Sequence, residues 1–179
     1  NDASSLDLFD WARLTAPGTL VEEAALRRSL YVAEHFDEVD RAIGYAALYA
    51  RRFIDSPYAG QYADLLVDLV IDNYAKVGEG KLDEVLSFMD RPRKREVYLR
   101  ISRKAVIRGM LELASFSAAK AEAIMDTADS GPAAMADLYS SMALVPTGDV
   151  GAAMAALNAV PEQQLSPRDK ALRAIARQI

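Results

Sequence analysis

The chain predicts an all-α fold built from antiparallel helical hairpins, and three observations carry that expectation. Apolar residues recur at steps of three and four along almost the whole sequence, and nowhere does the strict alternation of a half-buried strand survive. Half of the residues are apolar (51%) but only 8% are aromatic, and the Ala, Leu and Met among them suit helices. The third observation is the stretch Val97 to Ile124, which reads as two short amphipathic helices folded back on each other about Gly109. Tyr98, Ile101 and Ala105 share one face of the first helix, and Arg100, Lys104 and Arg108 share another. Ala114, Ala118 and Ala121 give the second a smooth stripe along which a neighbouring helix can approach closely.

Taken in order, Ser4 and Ser5 can cap a short helix, Leu6 to Leu14, which holds Phe9 and the single tryptophan, Trp11. Ala16-Pro17-Gly18 ends it. Thr19 offers the next N-cap, with Glu22 three residues on as its capping-box partner, and a helix follows from Leu20 to His35. Asp37-Glu38 starts another that runs to Phe53. At Ser56-Pro57 serine caps and proline takes the first helical position, so a helix is expected from there to about Val77. Gly78-Glu79-Gly80 breaks it, Leu82 to Met89 resumes, and Arg91-Pro92 turns the chain into the basic helix. Ser130-Gly131-Pro132 punctuates again, before a hairpin of Ala133–Val145 and Val150–Val160 around Pro146 to Asp149. Pro161 closes that hairpin, and Ser166-Pro167 caps a last helix, Arg168 to Ile179.

The hairpins align on their turn glycines. Gly109 precedes Ala114, Ala118 and Ala121 by the same intervals at which Gly148 precedes Ala153, Leu157 and Val160. The pair from His35 to Phe53 keeps the idea but not the spacing, and Gly80 with Val85 and Met89 is a fainter echo. Such a pattern suits a degenerate tetratricopeptide-like solenoid, with an irregular helical bundle as the alternative. It implies one all-helical domain over 1–179, with hairpins at about 19–54, 57–90, 92–129 and 132–161 and a C-terminal helix at 167–179. The chain starts at Asn1 without a methionine or a signal peptide, which reads as a processed product or a fragment of a longer protein.

Charge is unevenly placed. Arg91 to Arg108 holds eight basic residues and one acid, a local +7 in a chain of net −5, so the remainder carries −12. The acidic balance argues against a general nucleic-acid binder. Cysteine is absent, which rules out disulfides, thiol catalysis and cysteine metal sites but no compartment. The apolar run Leu65 to Ile71 is broken by Asp68, and no segment approaches the roughly 18 apolar residues of a membrane span.

Few residues suggest chemistry. His35 is the only histidine, and the nearby Glu34, Asp37 and Glu38 sit at a helix end where acids cap, so a surface histidine is expected rather than a ligand. No phosphate loop, GxSxG or HExxH occurs. Asp64, Asp68 and Asp72 share one helix face at i, i+4 and i+8. They are weak candidates for a metal site or an acid–base pair, because one helix alone cannot enclose a cation. The bland alternative is a solvated stripe, or one that pairs with the equally spaced Arg100, Lys104 and Arg108. The basic run is a solvated face, a dock for an acidic protein, or a nucleic-acid contact without interleaved aromatics. Charge alone nominates Arg93, Arg100, Arg103, Lys104 and Arg108 as protein-binding. Tyr45, Tyr49, Tyr58, Tyr62 and Tyr74 read as packing or interface residues.

Three phrases carry a family resemblance: GTLVEEAALRRSLYVA (Gly18 to Ala33), YARRFIDSPYAGQY (Tyr49 to Tyr62) and YLRISRKAVIRGMLELASFSAAKAEAI (Tyr98 to Ile124). They resemble the MotC family, periplasmic flagellar-motor and chemotaxis proteins of alphaproteobacteria such as rhizobia, over roughly Pro17 to Asp126. The resemblance implies an exported, non-enzymatic protein without cofactors that binds the periplasmic part of the stator subunit MotB and supports flagellar rotation. A dedicated periplasmic chaperone is the other implied partner, and neither nucleic acid nor membrane insertion is. The alternatives are a tetratricopeptide-like cell-envelope assembly or adaptor protein, and a metal-dependent enzyme using the 64/68/72 carboxylates.

Overall fold

The computed structural model describes residues 4–125, 130–144 and 150–178. Among them are nine α-helices and no strand, so the expected all-α class is the observed one. The chain divides into two compact units, Asn1–Asp90 and Arg91–Ile179.

The first unit holds α1 (Ser5–Thr15), α2 (Leu20–His35), α3 (Val39–Phe53) and α4 (Ala59–Ser87), each packed on the next. Thr19 caps α2 as expected, its side chain accepting the Val21 N–H at 3.2 Å. Glu22, however, reaches one residue past its capping-box partner to accept the Gly18 N–H, because Gly18 turns at φ +76 and presents that N–H to the helix start. Ser56 acts inside a turn that precedes α4: its hydroxyl accepts the Tyr58 N–H at 3.2 Å and its carbonyl accepts the Ala59 N–H at 3.0 Å. The helical run of α4 is broken at Asn73 and again at Gly78, whose φ +64 and ψ 171 lie in a region that only glycine enters without strain. The expected break is therefore present. At the centre Tyr49 and Tyr62 stack with ring centroids 4.2 Å apart, and the Tyr62 hydroxyl donates to the Ala46 carbonyl at 2.9 Å.

The second unit holds α5 (Arg91–Ile107), α6 (Leu111–Ala123), α7 (Ser130–Leu144), α8 (Val150–Ala159), a 3-10 turn at Glu162–Gln164, and α9 (Pro167–Ala176). The most extensive pairing is α5 on α6. α7 begins three residues before the expected Ala133, since Gly131 and Pro132 fall in its first turn, where the missing proline N–H costs nothing. Ser166 and Pro167 start α9 as expected, the serine side chain accepting the Asp169 N–H. The turn expected at Pro146 to Asp149 lies outside the described residues, as does Ile179.

The two hairpins α2–α3 and α5–α6 close with the same backbone device. In α5–α6, Gly109 sits at φ +71; the Met110 N–H bonds back to the Ala105 carbonyl at 2.9 Å, and the Gly109 N–H bonds to Val106 at 3.1 Å. In α2–α3 the left-handed residue is Asp37 at φ +63, with Glu38 bonded to Ala33 at 2.8 Å and Asp37 to Glu34 at 3.2 Å. Both are Schellman turns. Counted from Asp37, the positions five, nine and twelve residues on are Ala42, Ala46 and Tyr49, and all are buried, as are Ala114, Ala118 and Ala121 counted from Gly109. Ala153, Leu157 and Val160 are buried too. The register that looked lost between His35 and Phe53 is therefore kept, with the turn residue an aspartate.

This difference sets an expectation for stability. A side chain at Gly109 meets nothing within 4 Å, so Gly109→Ala carries only the left-handed backbone cost, about 1–2 kcal/mol. Asp37→Gly removes that cost and loses only an exposed ion pair with Lys76, worth under about 1 kcal/mol. Chemical denaturation should show the first variant destabilised and the second unchanged or stabilised.

Candidate functional site

The basic helix α5 buries Val97, Tyr98, Leu99, Ile101, Ser102 and Ala105, so its apolar stripe faces α6 and α7. Ser102 donates to the Ala114 carbonyl at 2.8 Å, which lets the two helices approach closely there. The cations occupy the other positions. Arg91 and Arg108 are exposed, whereas Arg93, Lys94, Arg95, Arg100, Arg103 and Lys104 are half-buried. Arg100 pairs with Glu96 one turn back, Nε to Oε1 at 3.1 Å.

Arg103 differs from its neighbours. Its Nε lies 3.1 Å from Oδ1 of Asp169, a buried carboxylate on α9. The Tyr139 hydroxyl donates to the same oxygen at 2.9 Å, and the Ser166 hydroxyl donates to Oδ2 at 2.5 Å. Asp169 thus ties α5, α7 and the start of α9 together. Arg173, also buried, donates to the Val160 carbonyl at 2.8 Å and lies 3.3 Å from Glu162. Neither residue was singled out in the sequence. The spacing Ser166-x-x-Asp169 is a capping-box signature and was the available signal.

The first unit has a parallel arrangement of two buried acids, Glu22 and Glu23, and a half-buried one, Asp10. Glu23 accepts the Tyr49 hydroxyl at 2.6 Å, and Glu22 pairs with Arg52 at 2.9 Å. Asp10 on α1 accepts from Tyr45 at 2.9 Å and Arg41 at 3.2 Å. His35 is exposed and stacks on Tyr31, with Phe36 edge-on at 5.5 Å. Asp64 and Asp72 are exposed on α4 and Asp68 is half-buried. Among the described residues no group of three His, Asp or Glu side chains comes together to hold a cation. None of the helices among them is long and apolar enough to cross a membrane.

In the second unit, Glu122 on α6 and Asp137 on α7 line an open groove of about 300 Å³ with Ser140, Ser141, Ala156, Ala159 and Val160. Burial, and then the charge of Asp137, push the Glu122 carboxyl above its ordinary range.

Burial also raises the phenols of Tyr49, Tyr62 and Tyr139, reinforced in turn by Glu23, by Tyr49 and by Asp169. The folded chain thus holds protons that the unfolded chain releases above its ordinary phenol value near 10. The contribution of these phenols to stability is full below about pH 10 and is lost above it, by about 1.4 kcal/mol per pH unit for each retained phenol. Urea midpoints at pH 8 and pH 11 measure this, and ultraviolet absorbance should show these phenols ionising only as the chain unfolds.

Helical hairpins whose buried acids are engaged in structural pairs, with a cationic helix at the surface, define an all-helical scaffold. A family model described as chemotaxis protein MotC matches residues 1–179. Chemotaxis protein MotC of Rhizobium meliloti (strain 1021) is 45% identical over 171 residues, covering 96% of this chain and 39% of that protein. The chain belongs to the MotC family. It spans about two fifths of the length of that relative. No solved structure matches it.

Proposed function

We propose that this chain is a protein-binding region of a periplasmic flagellar-motor accessory protein. In this reading it engages the periplasmic part of the stator subunit MotB, supports motor rotation, and is accompanied by a dedicated periplasmic chaperone. The observation that carries the reading is the match of the whole chain to the MotC family. The cationic surface of α5 supports a charge-guided contact through Arg93, Arg100, Lys104 and Arg108, while Arg103 positions that helix through Asp169. The shared turn register of the hairpins supports a tetratricopeptide-like stacking.

Pull-down with the stator's periplasmic domain tests the proposal. Binding should be retained at about 0.05 M salt and weakened at about 0.5 M, where screening shortens the range of charge. Reversing Arg100, Lys104 and Arg108 to glutamate together should weaken it about tenfold or more. Undiminished binding by that variant rejects α5 as the dock, and absence of binding at every salt concentration rejects the partner.

A further inference from the structure

Acids far outnumber cations in the first unit, where residues 1–90 hold 17 acidic and eight basic side chains. Five of those eight cations are paired inside the unit. Arg13 and Arg41 share Asp10, Arg52 meets Glu22, Lys76 meets Asp37 and Lys81 meets Asp40. Arg51 lies over the Phe88 ring, 4.7 Å from its centroid. Arg27 and Arg28, side by side on α2, have no carboxylate at ion-pair distance among the described residues. Glu23, one turn before Arg27, is buried and accepts the Tyr49 hydroxyl instead. Arg27 is nevertheless held in place. Its guanidinium lies over the Tyr58 ring, 4.6 Å from the centroid, and Nη1 donates to Gln61 Oε1. Its Nε is buried without an acceptor, a state that folded proteins rarely leave unanswered. Arg28 is exposed, and Tyr31, one turn on from both arginines, is 44% exposed and stacked on His35. Tyr58 is 40% exposed.

We propose that this face, Arg27 and Arg28 with Tyr31 and Tyr58, docks an acidic peptide segment of another protein. The argument for that occupant is charge. The unit has two acids to spare for every cation, yet none of them neutralises this neighbouring pair, so a carboxylate from outside supplies what the chain's own acids do not. Geometry favours a carboxylate too. A planar guanidinium already fixed by a ring on one face and by a single hydrogen bond keeps other N–H groups for a two-pronged contact, and little further ordering is needed to make it. The two rings give the segment apolar contact, and arginine with tyrosine is the composition that dominates interface centres. Arg27 to Tyr31 spans about 6 Å of α2. With Tyr58 and Gln61 beside them, the face matches at least two extended peptide residues at about 3.4 Å each. It lies wholly in the first unit, so it stands apart from the α5 contact.

Fluorescence anisotropy at about 0.05 M salt tests this, with a fluorescein-labelled peptide of alternating glutamate and alanine, about ten residues long, and its glutamine counterpart. The 179-residue chain should bind the glutamate peptide and not the glutamine one. Arg28→Gln, at an exposed position outside the core, should weaken binding about threefold or more, and Arg27→Gln with Arg28→Gln about tenfold or more. Arg51→Gln removes the same charge from the same unit and should leave binding within about twofold. The α5 variant Arg100→Gln with Lys104→Gln and Arg108→Gln should retain it as well, which separates this face from the α5 dock. Circular dichroism checks that each variant keeps its helices. Failure of the glutamate peptide to bind the parent chain overturns the proposal, as does undiminished binding by the Arg27 and Arg28 variant, or a loss confined to the α5 variant. Full displacement of the peptide by millimolar inorganic phosphate at constant ionic strength assigns the pair to a small anion and overturns it too.

Discussion

Asp169→Ala should lower the stability of the C-terminal unit by about 3–5 kcal/mol, the range for removing one partner from a buried ion pair. The carboxylate is almost fully buried and gathers Arg103, Tyr139 and Ser166. Without it, the Tyr139 hydroxyl keeps its desolvation cost with no acceptor, and the Arg103 guanidinium loses its counter-charge. The helix start suffers as well, because Ser166 and Asp169 hold the first turn of α9. Urea denaturation followed by circular dichroism measures the loss. Limited proteolysis should in addition cut the variant between α8 and α9 faster than the parent chain. If Asp169→Ala loses less than about 1 kcal/mol, the network is not a structural support.

Tyr49→Ala should cost the N-terminal unit a similar amount, about 3–5 kcal/mol, the range for emptying the site of a large buried aromatic. Tyr49 is 1% exposed, stacks on Tyr62 and occupies the position twelve residues beyond the Asp37 turn. Tyr49→Phe separates the ring from its hydroxyl. It keeps the stack but removes the donor to Glu23, itself 2% exposed, leaving a buried carboxylate short of one hydrogen bond. That variant should lose about 1–3 kcal/mol. Equal losses in the two variants would mean that the ring contributes nothing, contrary to its packing.

The Gly109 hairpin was legible in the sequence because glycine advertises a left-handed turn and Ala114, Ala118 and Ala121 repeat at helical spacing. Its counterpart at Asp37 was not, because aspartate normally marks a helix start and only occasionally accepts positive φ. Alignment on glycines alone therefore lost a register that the backbone preserves. The break at Gly78 was visible for the same reason that Gly109 was. Among the candidate binding residues, sequence identified α5 as cationic but not which of its arginines turns to an internal acid. Arg103 and Arg100 are equivalent by composition; what separates them is Asp169, far along the chain, brought near only by the packing of α9. Long-range pairs of this kind leave no local periodicity to read.

The solvated position of Trp11 carries a practical consequence for anyone following denaturation optically. An indole already two-thirds in water when the chain is folded gains little further hydration on melting, so its fluorescence passes almost silently through the transition. Ellipticity of the helices, together with the near-ultraviolet bands of the stacked Tyr49 and Tyr62, is where loss of structure becomes visible.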